Sequence, residues 1–172
     1  MESDNRRRAL LVLFGALLAF AWSCAGADDD NSPAGATGDV GEVIPTEPFI
    51  YDDASLAAVD TIVTASGLVY IEIEAGDGQL PGHGSLVSVH YTGTLEDGTV
   101  FDSSYPRRAP FRFALGLGVV IAGWDEGFAL MSTGSRARLI IPPELGYGSR
   151  GSGNVIPPDA TIIFDVWLTK IE

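Results

Sequence analysis

The sequence predicts an α+β domain, an antiparallel sheet wrapped over one short helix. Three observations carry this. From Ser66 to the C-terminus the chain is a series of short β-rich runs punctuated by Gly, Pro, Asp and Asn. A single stretch, around 121–131, has helical spacing of its apolar residues. The strand and helix patterns do not alternate as a parallel sheet would require. No internal repeat is present.

Taken in order, Leu68-Val69-Tyr70-Ile71-Glu72-Ile73-Glu74 is the first strand, closed by the turn signal Gly76-Asp77-Gly78. Leu86 to Gly93 is the second, alternating strictly from Val87 to Tyr91. Glu96-Asp97-Gly98-Thr99 turns the chain into Val100-Phe101, and Phe111-Arg112-Phe113 is a further short strand. In the helix, Ile121, Trp124, Phe128 and Met131 fall on one face. Asp125 and Glu126 lie off that face in the opening turn, where carboxylates suit the positive end of the helix dipole, and Gly134 offers a stop. Arg136 to Ile141 is a strand ending at Pro142-Pro143. A glycine-rich loop from Gly146 to Gly153 is closed by Val155-Ile156-Pro157-Pro158. Ala160 to Ile171 is the last strand, with Ile162, Phe164, Val166 and Leu168 on one side.

The 172 residues suffice for one such domain plus accessory segments. The net charge of −13 argues against nucleic-acid binding through phosphates. That charge is uneven: residues 25–84 carry 12 acidic and no basic side chains, whereas 85–172 carry 9 acidic and 7 basic ones, a net of −2. Arg6-Arg7-Arg8 precedes 14 apolar residues, Ala9 to Trp22, too few for a membrane span and suited to a secretory signal. The following Ser23-Cys24-Ala25-Gly26 resembles the lipobox of bacterial lipoproteins, in which Cys24 would carry lipid as the mature N-terminus. Ala21 and Trp22 depart from that pattern, and ordinary cleavage nearby is the alternative. Ala25 is not the aspartate that signals inner-membrane retention, which favours the outer membrane, facing the periplasm. The expected organisation is a signal peptide over 1–23, an acidic flexible tether over 24–65 and a folded domain over 66–172. Asp28 to Glu47 has little to bury; Phe49 to Thr64 could be a short helix or lie extended against the domain, and no function attaches to it.

Conventional catalytic sets are missing. With one cysteine and two separated histidines, His83 and His90, neither a disulfide nor a zinc site is supported, and no metal or cofactor is expected. No serine sits in a Gly-x-Ser-x-Gly elbow. Gly146-Tyr147-Gly148-Ser149-Arg150-Gly151 lacks a phosphate-binding lysine and a following helix. Glu96, Asp97 and Asp102 have nothing to pair them across a cleft. What remains is a supply of aromatic residues near loops. Alone, such a set packs a core more often than it lines a pocket.

The full pattern is more specific. Val89-His90-Tyr91-Thr92-Gly93, Gly98-Thr99-Val100-Phe101-Asp102-Ser103-Ser104, Pro110-Phe111-Arg112-Phe113, Val120-Ile121-Ala122-Gly123-Trp124, Tyr147-Gly148, Ile156-Pro157-Pro158 and Phe164-Asp165-Val166 follow one another in this order. Together they resemble the FKBP-type peptidyl-prolyl isomerases over Ser66 to Glu172. The resemblance implies five or six antiparallel strands curled round the short helix, with a shallow apolar pocket between them. It implies Trp124 as the floor beneath a prolyl ring and Tyr91, Phe111, Val120, Ile121 and Phe164 as walls. Phe101 and Asp102 would line one side, with Arg107 orienting the aspartate. Tyr147 would offer a hydroxyl at the rim, the Ile121 N–H would donate to a substrate carbonyl, and Val155 and Ile156 would form a flap with Ser152 at its tip. Many relatives carry histidine at that tip, so Ser152 removes a possible substrate contact. The implied partners are proline-containing unfolded or partly folded polypeptides, and macrolide inhibitors such as tacrolimus or rapamycin. A membrane would be a partner only through lipid on Cys24. For a prolyl isomerase, pocket aromatics without an acid–base pair make chemical sense, because a twisting amide loses charge separation and no bond to the enzyme need form. The rival is a proline-binding chaperone or adaptor module with little turnover.

Overall fold

The structure, a computed structural model, describes residues 50–52, 56 and 59–172. Cys24, the signal-like segment and the stretch Asp28 to Glu47 lie outside the described residues. Among the described residues, seven strands form one antiparallel sheet: β1 (Thr61–Val63), β2 (Val69–Glu74), β3 (Leu86–Leu95), β4 (Val100–Ser103), β5 (Phe111–Ala114), β6 (Arg136–Ile141) and β7 (Ile162–Ile171). The helix α1 spans Ala122–Phe128. The order across the sheet is β1-β2-β6-β7-β3-β4, with β5 also on β3.

Strand β3 is the spine. One edge pairs with β7 along its length, from Val87↔Ile171 to Leu95↔Ile162. Its other edge takes two short strands end to end, β5 against Leu86 to Val89 and β4 against Thr92 to Thr94. The period-two alternation then sends Val87, Val89 and Tyr91 to the inner face with Leu139 and Ile141 of β6 and Phe164, Val166 and Leu168 of β7. These residues, with Trp124 and Phe128 of α1, make the core. His90, Ser88, Thr92, Arg138 and Asp165 point to the outer face and are buried there as well.

Two expectations shift. The sheet exceeds five or six strands because Thr61–Val63, inside the stretch expected to be tether, pairs with Val69–Ile71 as β1. The helix is shorter than its apolar spacing suggests. It ends at Phe128, the next turn closes through Met131 N–H to the Phe128 carbonyl, and Met131 is still delivered to the core, fully buried. Gly134 therefore stops no helix; it sits in the turn from Ser132 to Ser135.

The helix lies close on the sheet because of its glycines. A Cβ at Gly127 would come within 2.8 Å of both Leu139 methyl carbons, and one at Gly123 within 2.6 Å of Ile141. Both partners are fully buried and cannot move aside. That contact sets the depth at which Trp124 stands below the surface.

Candidate functional site

Where β3, β4 and β7 curl past the start of α1, they leave an apolar cavity of about 700 Å³. Trp124 is its floor. The indole is 5% exposed and ringed by Tyr91, Phe164, Phe128, Phe113 and Phe111, at centroid distances of 5.0, 5.1, 5.3, 5.6 and 5.9 Å. Most of these contacts are edge-to-face, the arrangement that aromatic quadrupoles favour. The buried indole N–H has no oxygen or nitrogen partner among the described residues, so π faces are the compensation open to it. Phe101 and Phe164 form one wall, 5.4 Å apart and perpendicular. They can stand there because Gly93 of β3 has no side chain: a Cβ would lie 2.6 Å from the first ring and 2.7 Å from the second.

One polar network reaches the cavity. Asp102 accepts a 2.6 Å hydrogen bond from the Tyr91 hydroxyl, one of 3.1 Å from Arg107 and one of 2.8 Å from the Ser103 N–H. Arg107 also donates to the Tyr91 oxygen at 2.7 Å, which closes a three-membered ring of contacts. Burial pushes the Asp102 carboxyl up, but the hydrogen bonds from Tyr91 and Arg107, with the arginine charge, outweigh it and hold the group below its ordinary value of 3.8. For Tyr91, burial first and then the bond to Asp102 push the phenol up to about 12. The pair therefore works as a fixed donor and a fixed anion, with no proton to exchange near neutrality. The Tyr147 phenol is also pushed up, by burial and then by the Asp102 charge. Its hydroxyl makes no hydrogen bond among the described residues and stays available at the rim.

A main-chain N–H also stands unused beside the floor. Ile121 caps α1 in extended conformation, with its carbonyl accepting from the N–H groups of Trp124 and Asp125. Its own N–H donates to nothing among the described residues. Asp125, expected only to complement the helix dipole, does more. Its two carboxylate oxygens accept the N–H groups of Gly116 and Gly118 at 2.8 and 2.9 Å. One side chain thus pins the loop that carries Val119, Val120 and Ile121 to the residue next to the floor. Glu126 accepts the Ser66 hydroxyl at 2.7 Å and faces away from the cavity lining.

The structure brings Tyr91, Phe101, Asp102, Phe111, Val120, Ile121, Trp124, Tyr147, Val155, Ile156 and Phe164 to one cavity. Arg107 does not line it and acts through Asp102 and Tyr91. Ser152 and Gly153 do line it, and the bridge between Ser152 and Ile156 closes the flap. Val119 and Gly153 are the lining residues that sequence reasoning passed over; for Val119, its place directly before the Val120-Ile121 pair was the available signal. His90 lies across the sheet, its Nδ1 2.9 Å from the Ser104 hydroxyl and its ring stacked on Tyr105. No cluster of three or more His, Cys, Asp or Glu side chains able to hold a metal forms among the described residues.

Comparison with known proteins agrees with this geometry. The profile of the family described as FKBP-type peptidyl-prolyl cis-trans isomerase matches residues 78–169. The chain is 55% identical over 107 residues to the peptidyl-prolyl cis-trans isomerase Fkbp12 of Drosophila melanogaster, covering 62% of this chain and 99% of the fly protein. It is 51% identical over 105 residues to an FK506-binding protein of Neisseria meningitidis serogroup B, covering 61% of this chain and 96% of that one. Among solved structures, AtFKBP13 superposes with a TM-score of 0.62 at 40% identity, over 66% of this chain and 99% of its own. FkpA from Escherichia coli gives 0.61 at 44% identity, over 65% of this chain and 51% of the FkpA chain. A fold, a cavity and a sequence that agree to this extent have one reading: the chain belongs to the FKBP-type peptidyl-prolyl cis-trans isomerases.

Proposed function

We propose that this isomerase acts on X-Pro bonds of exported polypeptides while held at the cell envelope by lipid on Cys24. The observation that carries the enzymatic part is the aromatic cavity over Trp124 beside an unused Ile121 N–H. Rotation about a peptide C–N bond faces a barrier of about 18–20 kcal/mol because the amide is conjugated. Twisting ends that conjugation, so the carbonyl loses negative charge and the nitrogen becomes pyramidal. The transition state is less polar than the ground state, and a dry aromatic cavity favours it more than water does. The floor and walls grip the prolyl ring while the Ile121 N–H holds a carbonyl on the prolyl side, so one end is fixed and the acyl group before it turns. The Asp102 network keeps the Tyr91 wall in place. The same cavity suits macrolides such as tacrolimus or rapamycin, and FK506 in the name of a relative supports the first of these.

Turnover is separated from mere binding by the refolding of a protein whose slow phase is X-Pro isomerisation, a process of about 10–100 s without catalyst. A catalyst at substoichiometric concentration accelerates that phase; a proline-binding adaptor leaves it unchanged or slows it. The exported, lipid-anchored reading rests on the Arg6-Arg7-Arg8 run, the apolar block from Ala9 to Trp22 and the single Cys24. Mass spectrometry of the mature N-terminus tests it: acylated Cys24 is expected, and an unmodified chain beginning elsewhere overturns it.

A further inference from the structure

The outer face of the sheet, opposite the cavity, carries an arrangement that the isomerase chemistry does not use. Arg138 of β6 and Asp165 of β7 are cross-strand partners there, 4% and 5% exposed. They form a two-point ion pair, with Nε to Oδ1 at 2.7 Å and Nη2 to Oδ2 at 2.9 Å. Such a pair already satisfies itself, yet each member takes a further partner from one residue. The Tyr51 N–H donates to Asp165 Oδ2 at 3.2 Å, and Arg138 Nη2 donates to the Tyr51 carbonyl. Tyr51 lies 114 and 87 positions away in sequence from these two residues. A neighbouring strand would offer a residue the same donor and acceptor; here two side chains offer them.

The side chain of Tyr51 turns away from solvent as well: the residue is half-buried and its phenol oxygen is fully covered. Farther on, Leu56 is 7% exposed although it is no part of the inner core, and the chain then joins the sheet as β1. Main-chain recognition by two side chains is the direct grip, and the covered phenol oxygen of Tyr51 and the buried Leu56 accompany it.

We propose that this outer face is a docking site for an extended peptide segment, filled by the protein's own Ile50–Asp52, and that it fixes Ile50 on the side of the sheet away from the cavity. Strand alternation dictates the geometry, because Asp165 points outward between Phe164 and Val166, which point inward. The docked Ile50–Asp52 therefore leaves the mouth of the cavity, on the other face, uncovered. The site sets how the isomerase is presented and adds nothing to its chemistry.

The test is independent of isomerase activity. In the full chain carrying Cys24→Ser, kept in detergent micelles, a nitroxide is placed on Ile50→Cys, whose native side chain is 54% exposed. Backbone amide signals are then read by NMR. The expected result is strong loss of the Arg138, Asp165 and Trp167 signals, with those of Ile121 and Val155 at the cavity intact. Tyr51→Pro, which deletes the donated N–H, should restore the lost signals while leaving peptide isomerisation at the wild-type rate. Loss centred on Ile121 and Val155, or spread evenly, overturns the proposal. So does loss that passes to isotope-labelled chains lacking the nitroxide in a mixed sample, because the docked segment would then come from a second copy.

Discussion

Asp102 is the residue whose environment gives the sharpest expectations. It accepts from Tyr91, Arg107 and the Ser103 N–H at the cavity edge. Asp102→Ala removes the acceptor that orients the Tyr91 wall; a hydrogen bond to a charged group is worth about 1.5–3 kcal/mol, and solvent at this half-exposed pair favours the lower end. A kcat/KM about tenfold below wild type is expected in a peptide assay. The pH dependence follows from the sign of the shift. A carboxyl held below its ordinary value stays ionised as pH falls, so the network and its contribution to stability persist to about pH 3.9 and are lost only as pH drops through the lower folded value. His90 behaves differently. Burial lowers its pKa from 6.5, so the unfolded chain takes up a proton first and stability declines as pH falls below that value. Between pH 7 and about 5, the melting temperature should therefore fall while kcat/KM on a short peptide stays flat. A parallel decline of both would show that the catalytic network titrates after all. The floor and wall residues were legible because aromatic residues at fixed spacing within a known pattern admit few roles. The role of Asp125 was not, since its partners are main-chain N–H groups that carry no side-chain signature.

At the scale of elements, the helix and the loop before it decide where the donor and the floor stand. Asp125→Ala should release the Gly116 and Gly118 amides, speed their hydrogen exchange and lower kcat/KM by roughly tenfold, since misplacing a positioned group by about an ångström is costly. Asp125→Glu, which keeps both oxygens, should recover part of that loss. Unchanged kcat/KM in Asp125→Ala would mean that the loop holds its shape without the clamp. Gly127→Ala tests the seat of the helix: forcing a methyl against Leu139 should cost about 1–3 kcal/mol and lower the melting temperature by roughly 4–8 °C for each of these. The existence of α1 was legible from its apolar spacing, but its end was not. Met131 shares the helix-like spacing while belonging to the turn that follows, since core packing rather than helix period fixes its place. Strand β1 realises the extended alternative for Phe49 to Thr64; the choice was not legible because its three residues are all exposed and follow no alternation.

For the whole molecule, the charge is the property most visible in the sequence. Residues 85–172, which hold every cavity residue, have a net charge of only −2, while the chain carries −13. Long-range steering should therefore contribute little, and kcat/KM on an uncharged peptide should change less than about twofold between 0.01 and 1 M salt, a span over which the Debye length shrinks about tenfold. The docking of Tyr51 on the outer face belongs to this scale too. No local pattern announces it, because the residues that receive it come from β6 and β7 and meet only once the sheet has formed. The central claim, that an aromatic cavity over Trp124 turns the prolyl amide, is tested most directly by NMR exchange spectroscopy on a short X-Pro peptide, with no protease or folding client present. Catalytic amounts of the wild type should bring the cis and trans signals into exchange, and Trp124→Ala, shown to be folded by its amide spectrum, should leave them at the uncatalysed rate. Undiminished exchange in folded Trp124→Ala, or none in the wild type, would contradict it.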